Sequence, residues 1–299
     1  MTPRRYGPFP FVPIHRRPKL SWPNGARVAL WVNPNIEFFG LDDVMPSNLN
    51  ERVPRANANV PNVRNWAVRD YGNRVGVFRM AELFEELHMP VSVLANATMY
   101  EHAPQAVACF KGREVVGHGR TNSERQGDLP EHRERQLILE TTETITKHEG
   151  KRPLGWLGPW ISQSDKTPDL LQEAGYTYLL DWCHDDQPVW MKTRSGRILS
   201  VPYPQELNDI PQIVARKREG DEFGQMIIDS FNVLRAECEL RPIVMGIALH
   251  PYLVGWPHRF LHLARAINHI VENADEKVWL TTAGAIAAHV ATLPEGSVP

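Results

Sequence analysis

The sequence predicts an α/β protein whose parallel strands curl into a distorted (β/α) barrel. Three observations carry that expectation. Short apolar runs rich in Val, Ile, Leu and Trp alternate with helix-length amphipathic segments along nearly the whole chain, the pattern of parallel strands joined by crossover helices. About seven such runs occur, enough to close a barrel. Polar residues gather just after the apolar runs, where a barrel keeps its working groups.

Each element follows from its own residues. Residues 1–25 are rich in Pro and aromatic side chains and end in SWPNGA; proline neither donates to a ladder nor sits inside a helix, so an extended arm on the surface is expected. ARVALWVNP at 26–34 is the first buried strand. Residues 40–72 are polar and aperiodic with several Pro and Asn, which reads as a lid insertion. NRVGVFRMAELFEELHM at 73–89 is an amphipathic helix with Val75, Phe78, Leu83 and Leu87 on one face. A strand at 90–97, a short helix at 103–112 and a strand ending in VVGHG follow. The long helix at 127–150 has Asp128 as its cap, Glu131 three residues later and Pro130 in the first turn. LGWLGP at 154–159 is a strand. In DKTPDLLQEAGY, Thr167 caps, Pro168 takes the first helical position and Gly175 stops the helix. Strands at 176–182 and 198–204, a helix at 220–240, the strand IVMGIALHP at 243–251, a helix at 258–274, a strand at 278–284 and a last helix complete the alternation. Residues 26–292 form one domain without repeat or linker, and 293–299 are a tail.

Composition excludes several classes. The net charge is −2 and no long basic run occurs, which argues against a nucleic-acid partner. No apolar run approaches the ~20 residues of a membrane span, and the basic start lacks the apolar core of a secretory signal. Three scattered cysteines, Cys109, Cys183 and Cys238, point to reduced thiols and a cytoplasmic protein. With 25 prolines and nine tryptophans, ordered loops around an aromatic-lined pocket for a small molecule are expected.

The strand ends supply the candidate chemistry. Glu37 follows the first strand between Ile36, Phe38 and Phe39; poor solvation there would raise its pKa toward neutrality, as suits a general base. Its alternative is a hydrogen-bonded loop carboxylate. His118 sits between Gly117 and Gly119, which let the backbone bend and a ligand approach. Asn122, four residues on, is a poor zinc ligand, and its amide can hold a substrate carbonyl or a water. Asn35 and Asn96 also fall at strand ends. Trp160 can form an aromatic wall, and Asp185 and Asp186 in DWCHDDQPVW can contact a pocket or be solvated. His250 ends an apolar strand before Pro251, placed to protonate a leaving nitrogen as general acid.

In this order, strand–acid, VVGHG plus four, GWLGP, DW followed by acids, and ALHP resemble the polysaccharide-deacetylase (NodB-homology, carbohydrate esterase family 4) superfamily over roughly residues 25–290. The resemblance implies a NodB-like distorted barrel, and in many members an Asp–His–His metal triad with an early Asp base and a late His acid. WPNGARVA, the Glu after the first strand and RDYGNRVGVFR are closer to the allantoinase-like and cyclic-imide-hydrolase-like branch, some of whose members work without the usual metal. By position, the first-motif acids fall near Asn33, Asn35 and Glu37, the two metal histidines on His118 and Asn122, and the late histidine on His250. A zinc or other divalent ion would thus find Glu37 and His118 but an incomplete triad. The resemblance also implies a homo-oligomer. The reading is a hydrolase that opens a small cyclic amide, imide or ureide by activating water. Its rivals are a metal-dependent deacetylase of an N-acetylated sugar, with an acid from 185–186 completing the site, and a non-catalytic ligand-binding barrel.

Overall fold

In the computed structural model the described residues are 7–18, 20–43, 61–239 and 241–299. The first strand, β1 (Val28–Ile36), is buried along its whole length. Its side chains alternate as a pleat requires: Val28, Leu30 and Val32 enter the layer shared with the helices, while Ala29 and Trp31 enter the interior of the curled sheet. Continuing the same inward set gives Asn33, Asn35 and Glu37, so the interior turns polar toward the C-terminal end of the strand.

A helical run follows, α1 (Val63–Tyr71), a wide π-helical stretch at Gly72–Gly76 and α2 (Val77–Glu86). Next come β2 (Ser92–Ala95), α3 (Met99–His102), α4 (Pro104–Ala108), β3 (Glu114–Gly117), α5 (Glu131–Glu149), β4 (Gly155–Trp156), α6 (Thr167–Glu173) and β5 (Tyr178–Leu179). A hairpin of β6 (Val189–Thr193) and β7 (Gly196–Ser200) precedes α7 (Gly220–Glu237), β8 (Ile243–Leu249), α8 (Pro251–Val254), α9 (Pro257–Asn273), β9 (Val278–Thr281) and α10 (Ala283–Thr292).

The sheet runs β6-β7-β5-β4-β3-β2-β1-β8, with β9 beside the first half of β1. Every pairing is parallel except that within the β6–β7 hairpin. This is the curled, mostly parallel barrel the sequence predicts. It stays open between β7 and β8, where Ala248 N donates to Leu207 O and Val244 N to Asp186 O in place of a strand ladder. The N-terminal ends of the strands are closed by α10 and by Leu20 and Trp22, the indole of Trp22 donating to Ile243 O at 3.1 Å.

Several expectations are corrected. The arm does more than lie on the surface, since Leu20 and Trp22 are core. Of the expected lid, 44–60 lie outside the described residues, while Val63–Tyr71 are helical, so the helix expected from 73 starts ten residues earlier. Its core face is Val77, Met80, Leu83 and Phe84; Val75, Phe78 and Leu87 flank it. Asp128 belongs to a separate 3₁₀ turn at Gln126–Asp128, and α5 starts after Pro130. Thr167 gives its hydroxyl to buried Glu134, and α6 begins without a side-chain cap. Strand β6 was missed because DWCHDDQPVW reads as polar loop, and only VWMKT carries the strand pattern. Gly175 does stop α6, with φ +85°.

Candidate active site

Four strands deliver inward-facing polar residues to one place. Glu37 follows β1, Asn96 follows β2, His118 follows β3 and His250 follows β8. Pro34 pairs with Leu249 in the β1–β8 ladder, which sets Glu37 and His250 side by side although 213 positions separate them in sequence (250 − 37). At Gly119 the backbone turns with φ +63°, and a β-carbon there would lie 2.6 Å from Pro159, so the loop after His118 folds tightly under Gly158–Ile161.

Glu37 is the hub. Its Oε1 lies 3.4 Å from Nε2 of His118, 3.4 Å from Nε2 of His250 and 2.6 Å from Nδ2 of Asn122. Its Oε2 makes no hydrogen bond. Nδ1 of His118 donates to Leu157 O at 2.8 Å, since a carbonyl only accepts, and this turns Nε2 toward Glu37. His250 is gripped twice by Asp209: the backbone N–H donates to Oδ2 at 2.7 Å and Nδ1 donates to Oδ1 at 2.6 Å.

The charges follow from these contacts. Burial alone would raise the Glu37 carboxyl, but the positive charge of His250, with the His118 and His250 rings both at 3.4 Å, holds it well below the usual carboxylate range. The expected rise toward neutrality is therefore reversed: the groups that decide it are two imidazoles, not Phe38 and Phe39. Burial alone would lower His250, yet Asp209 and Glu37 on either side push it up to about 10. The site holds a carboxylate beside an imidazolium at neutral pH.

The orientation of Asn122 is fixed by a chain of bonds. Phe38 N–H must donate, so Oδ1 of Asn96 accepts at 2.8 Å. Nδ2 of Asn96 then donates to the His118 carbonyl and, at 3.0 Å, to Oδ1 of Asn122. Nδ2 of Asn122 is left to face Glu37. At the position of a second metal histidine, the chain thus presents an N–H to the carboxylate and turns its oxygen away. Among the described residues no three His, Cys, Asp or Glu side chains are placed to hold one metal ion. The residues do not fit the three-ligand centre that the resemblance implies.

An aromatic roof covers the group. Phe39 meets Tyr252 edge-on at 6.2 Å and Trp160 at 6.5 Å, and the buried guanidinium of Arg69 stacks over Phe39 at 4.4 Å. The phenol of Tyr252 lies beside Glu37, and burial followed by that carboxylate's charge raises it well above its ordinary value. Trp160 and Ile161 have φ of +65° and +53°; a β-branched residue there is strained, and the indole N–H of Trp160 donating to Asn122 O at 2.8 Å is part of what holds the turn. Glu37, His118 and His250 are only 5%, 2% and 3% exposed, so the charged group is buried among the described residues.

Of the residues singled out in the sequence, Glu37, His118, Asn122, Trp160 and His250 converge. Asn35 is adjacent and ties β1 to the end of β8 through Leu249 O at 3.2 Å. Asp185 and Asp186 do not join them. They line a cavity of about 1020 Å³ at the β7–β8 opening, together with the arm, and Asp185 forms a two-pronged pair with Arg17 at 2.7 and 2.5 Å. Asp209 was missed. It lies in the loop after β7, where the strand-end rule would have found it had NDIP been read as part of the mouth.

No family model matches the sequence. A Pseudomonas aeruginosa structure described as a probable polysaccharide deacetylase is 30% identical, covers 90% of this chain and 92% of its own, and superposes with a TM-score of 0.79. The structure of PuuE allantoinase is also 30% identical, with 91% and 93% coverage and a TM-score of 0.80. The peptidoglycan deacetylase of Helicobacter pylori is 25% identical over 246 residues, 71% of this chain and 82% of that protein.

Proposed function

The chain belongs to the polysaccharide deacetylase family and is a hydrolase of carbon–nitrogen bonds other than peptide bonds; from that premise we propose that it opens a small cyclic amide, imide or ureide. The observation that carries the proposal is the charged pair Glu37–His250, with Asp209 behind the imidazolium. Water attacks the ring carbonyl while Glu37 takes its proton. The C–N bond breaks as Nε2–H of His250 protonates the departing nitrogen. Glu37 and His250 lie 3.4 Å apart, so the captured proton can pass back to the imidazole and reset the site. Asn122 keeps the carboxylate in place, and Phe39, Trp160 and Tyr252 exclude bulk water, which strengthens each of these interactions.

The burial of Glu37, His118 and His250 favours a small ring over a polymer strand, which would need an open groove. Allantoin comes within this class through the likeness to PuuE allantoinase. Glu37→Gln and His250→Ala should each lower ring opening by about 10²–10⁴-fold while leaving the folded state intact. Hydantoins, allantoin, succinimide and N-acetylated sugars form the assay panel. Full activity in either folded variant removes that residue from the mechanism. The rival reading, a metal-dependent sugar deacetylase, draws on the deacetylase names of the relatives. It would win if purified protein held stoichiometric zinc and lost metal and activity together on chelation.

A further inference from the structure

We propose that Asp181 is a positioning residue that acts on His118 through the Leu157–Gly158 peptide. The inference rests on the reading that His118 belongs to the working site. That one peptide unit is held from both sides: its carbonyl accepts from Nδ1 of His118 at 2.8 Å, and its N–H donates to Oδ1 of Asp181 at 2.7 Å. Both contacts continue the sheet beyond the ends of its strands. On the β3 side, Leu157 N donates to Gly117 O, and the next rung is the imidazole of His118. On the β5 side, Leu180 N donates to Trp156 O, and the next rung is the carboxylate of Asp181.

A carboxylate on a peptide N–H polarises the amide, so its carbonyl becomes a stronger acceptor; bonds in a chain reinforce one another where the dielectric is low. The strengthened carbonyl fixes the tautomer and plane of His118 and so aims Nε2 at Glu37. The arrangement is built for this. A β-carbon at residue 158 would lie 2.2 Å from Ser162 O, so only glycine fits at the peptide that Asp181 reaches. Asp181 is buried, its Oδ2 makes no hydrogen bond, and the other ionisable groups facing it are Glu134 and Cys183. Burial first, with the charge of Glu134, raises its carboxyl to about 7 against the pull of Gly158 N–H. A carboxyl group kept there at that cost has a task beyond packing.

Nitrogen-15 histidine NMR of the full chain tests this without substrate. In Asp181→Asn, which keeps the shape and removes the charge, the Nδ1 proton of His118 should move upfield as its bond to Leu157 O weakens. In ring-opening assays kcat should fall about tenfold. In a His118→Gln background, Asp181→Asn should change kcat by less than about twofold, because the route to the site is gone. Should Asp181→Asn fail to fold, Asp181→Ser retains an uncharged acceptor for the same comparisons. An unmoved Nδ1 proton, or two losses that simply multiply, overturns the proposal. An inactive wild type with a shifted proton would instead count against the ring-opening reading alone.

Discussion

Asn122 shows how one side chain can change the chemistry of a site. An imidazole there would offer a lone pair; the amide, oriented by Phe38 and Asn96, offers a proton to Glu37. His250 and His118 keep Glu37 ionised across the neutral range, and Asn122 adds a hydrogen bond that holds the carboxylate in place. The pH dependence follows from the partners. Glu37 ionises well below the usual carboxylate range, so no acid limb is expected near 4–5. His250 is charged below about 10 and loses its proton as the pH rises through that value, so kcat/KM should fall on the alkaline side; toward acid the one decline expected is the partial one, up to about tenfold, as Asp181 is protonated below about 7. Asp209→Asn removes one of the two charges holding that proton. Its alkaline limb should move down by about one pH unit or more, and a pH–rate profile that stays in place would show that Asp209 does not set it. Most of the converging residues were legible because the strand-end rule needs only an apolar run and the next polar side chain. The sign of the Glu37 shift was not, since it depends on His118 and His250, which are far away in sequence.

At the scale of elements, the helical run after β1 is shaped by two glycines four apart. A β-carbon at Gly72 would lie 2.5 Å from Tyr252 N, and one at Gly76 2.2 Å from Pro251 O. The run therefore lies directly against the turn that follows His250, and Asn73, between the glycines, donates to Glu37 O at 2.9 Å. RDYGNRVGVFR stands out in the sequence, but of the face read over 73–89 only Leu83 is on the core face, with Val77, Met80 and Phe84 in place of Val75, Phe78 and Leu87. The π-helical stretch at Gly72–Gly76 inserts extra backbone, which no simple 3.6-residue count anticipates. Gly76→Ala should push this turn away from the run, destabilise the protein by about 1–3 kcal/mol and lower kcat through displaced His250. Thermal melts together with kcat would check it; an unchanged kcat would mean that the turn tolerates the shift.

For the whole molecule, the alternation of strands and helices was readable because parallel strands buried on both faces leave continuous apolar runs. The open β7–β8 edge was not, because it is bridged by loops and by the arm, which Arg17 ties to Asp185. Phe9 stacks on His184 at 4.2 Å along the same seam. Asp185→Asn should cost about 1.5–3 kcal/mol and a few degrees of Tm, with kcat/KM within about twofold of wild type. A large loss of activity at unchanged Tm would tie Asp185 to the working site after all. The ladder that joins β1 to β8 has a further result. In a nascent chain Glu37 and His250 are made 213 residues apart, so the charged pair on which the proposed ring opening rests is assembled only when β8 settles beside β1.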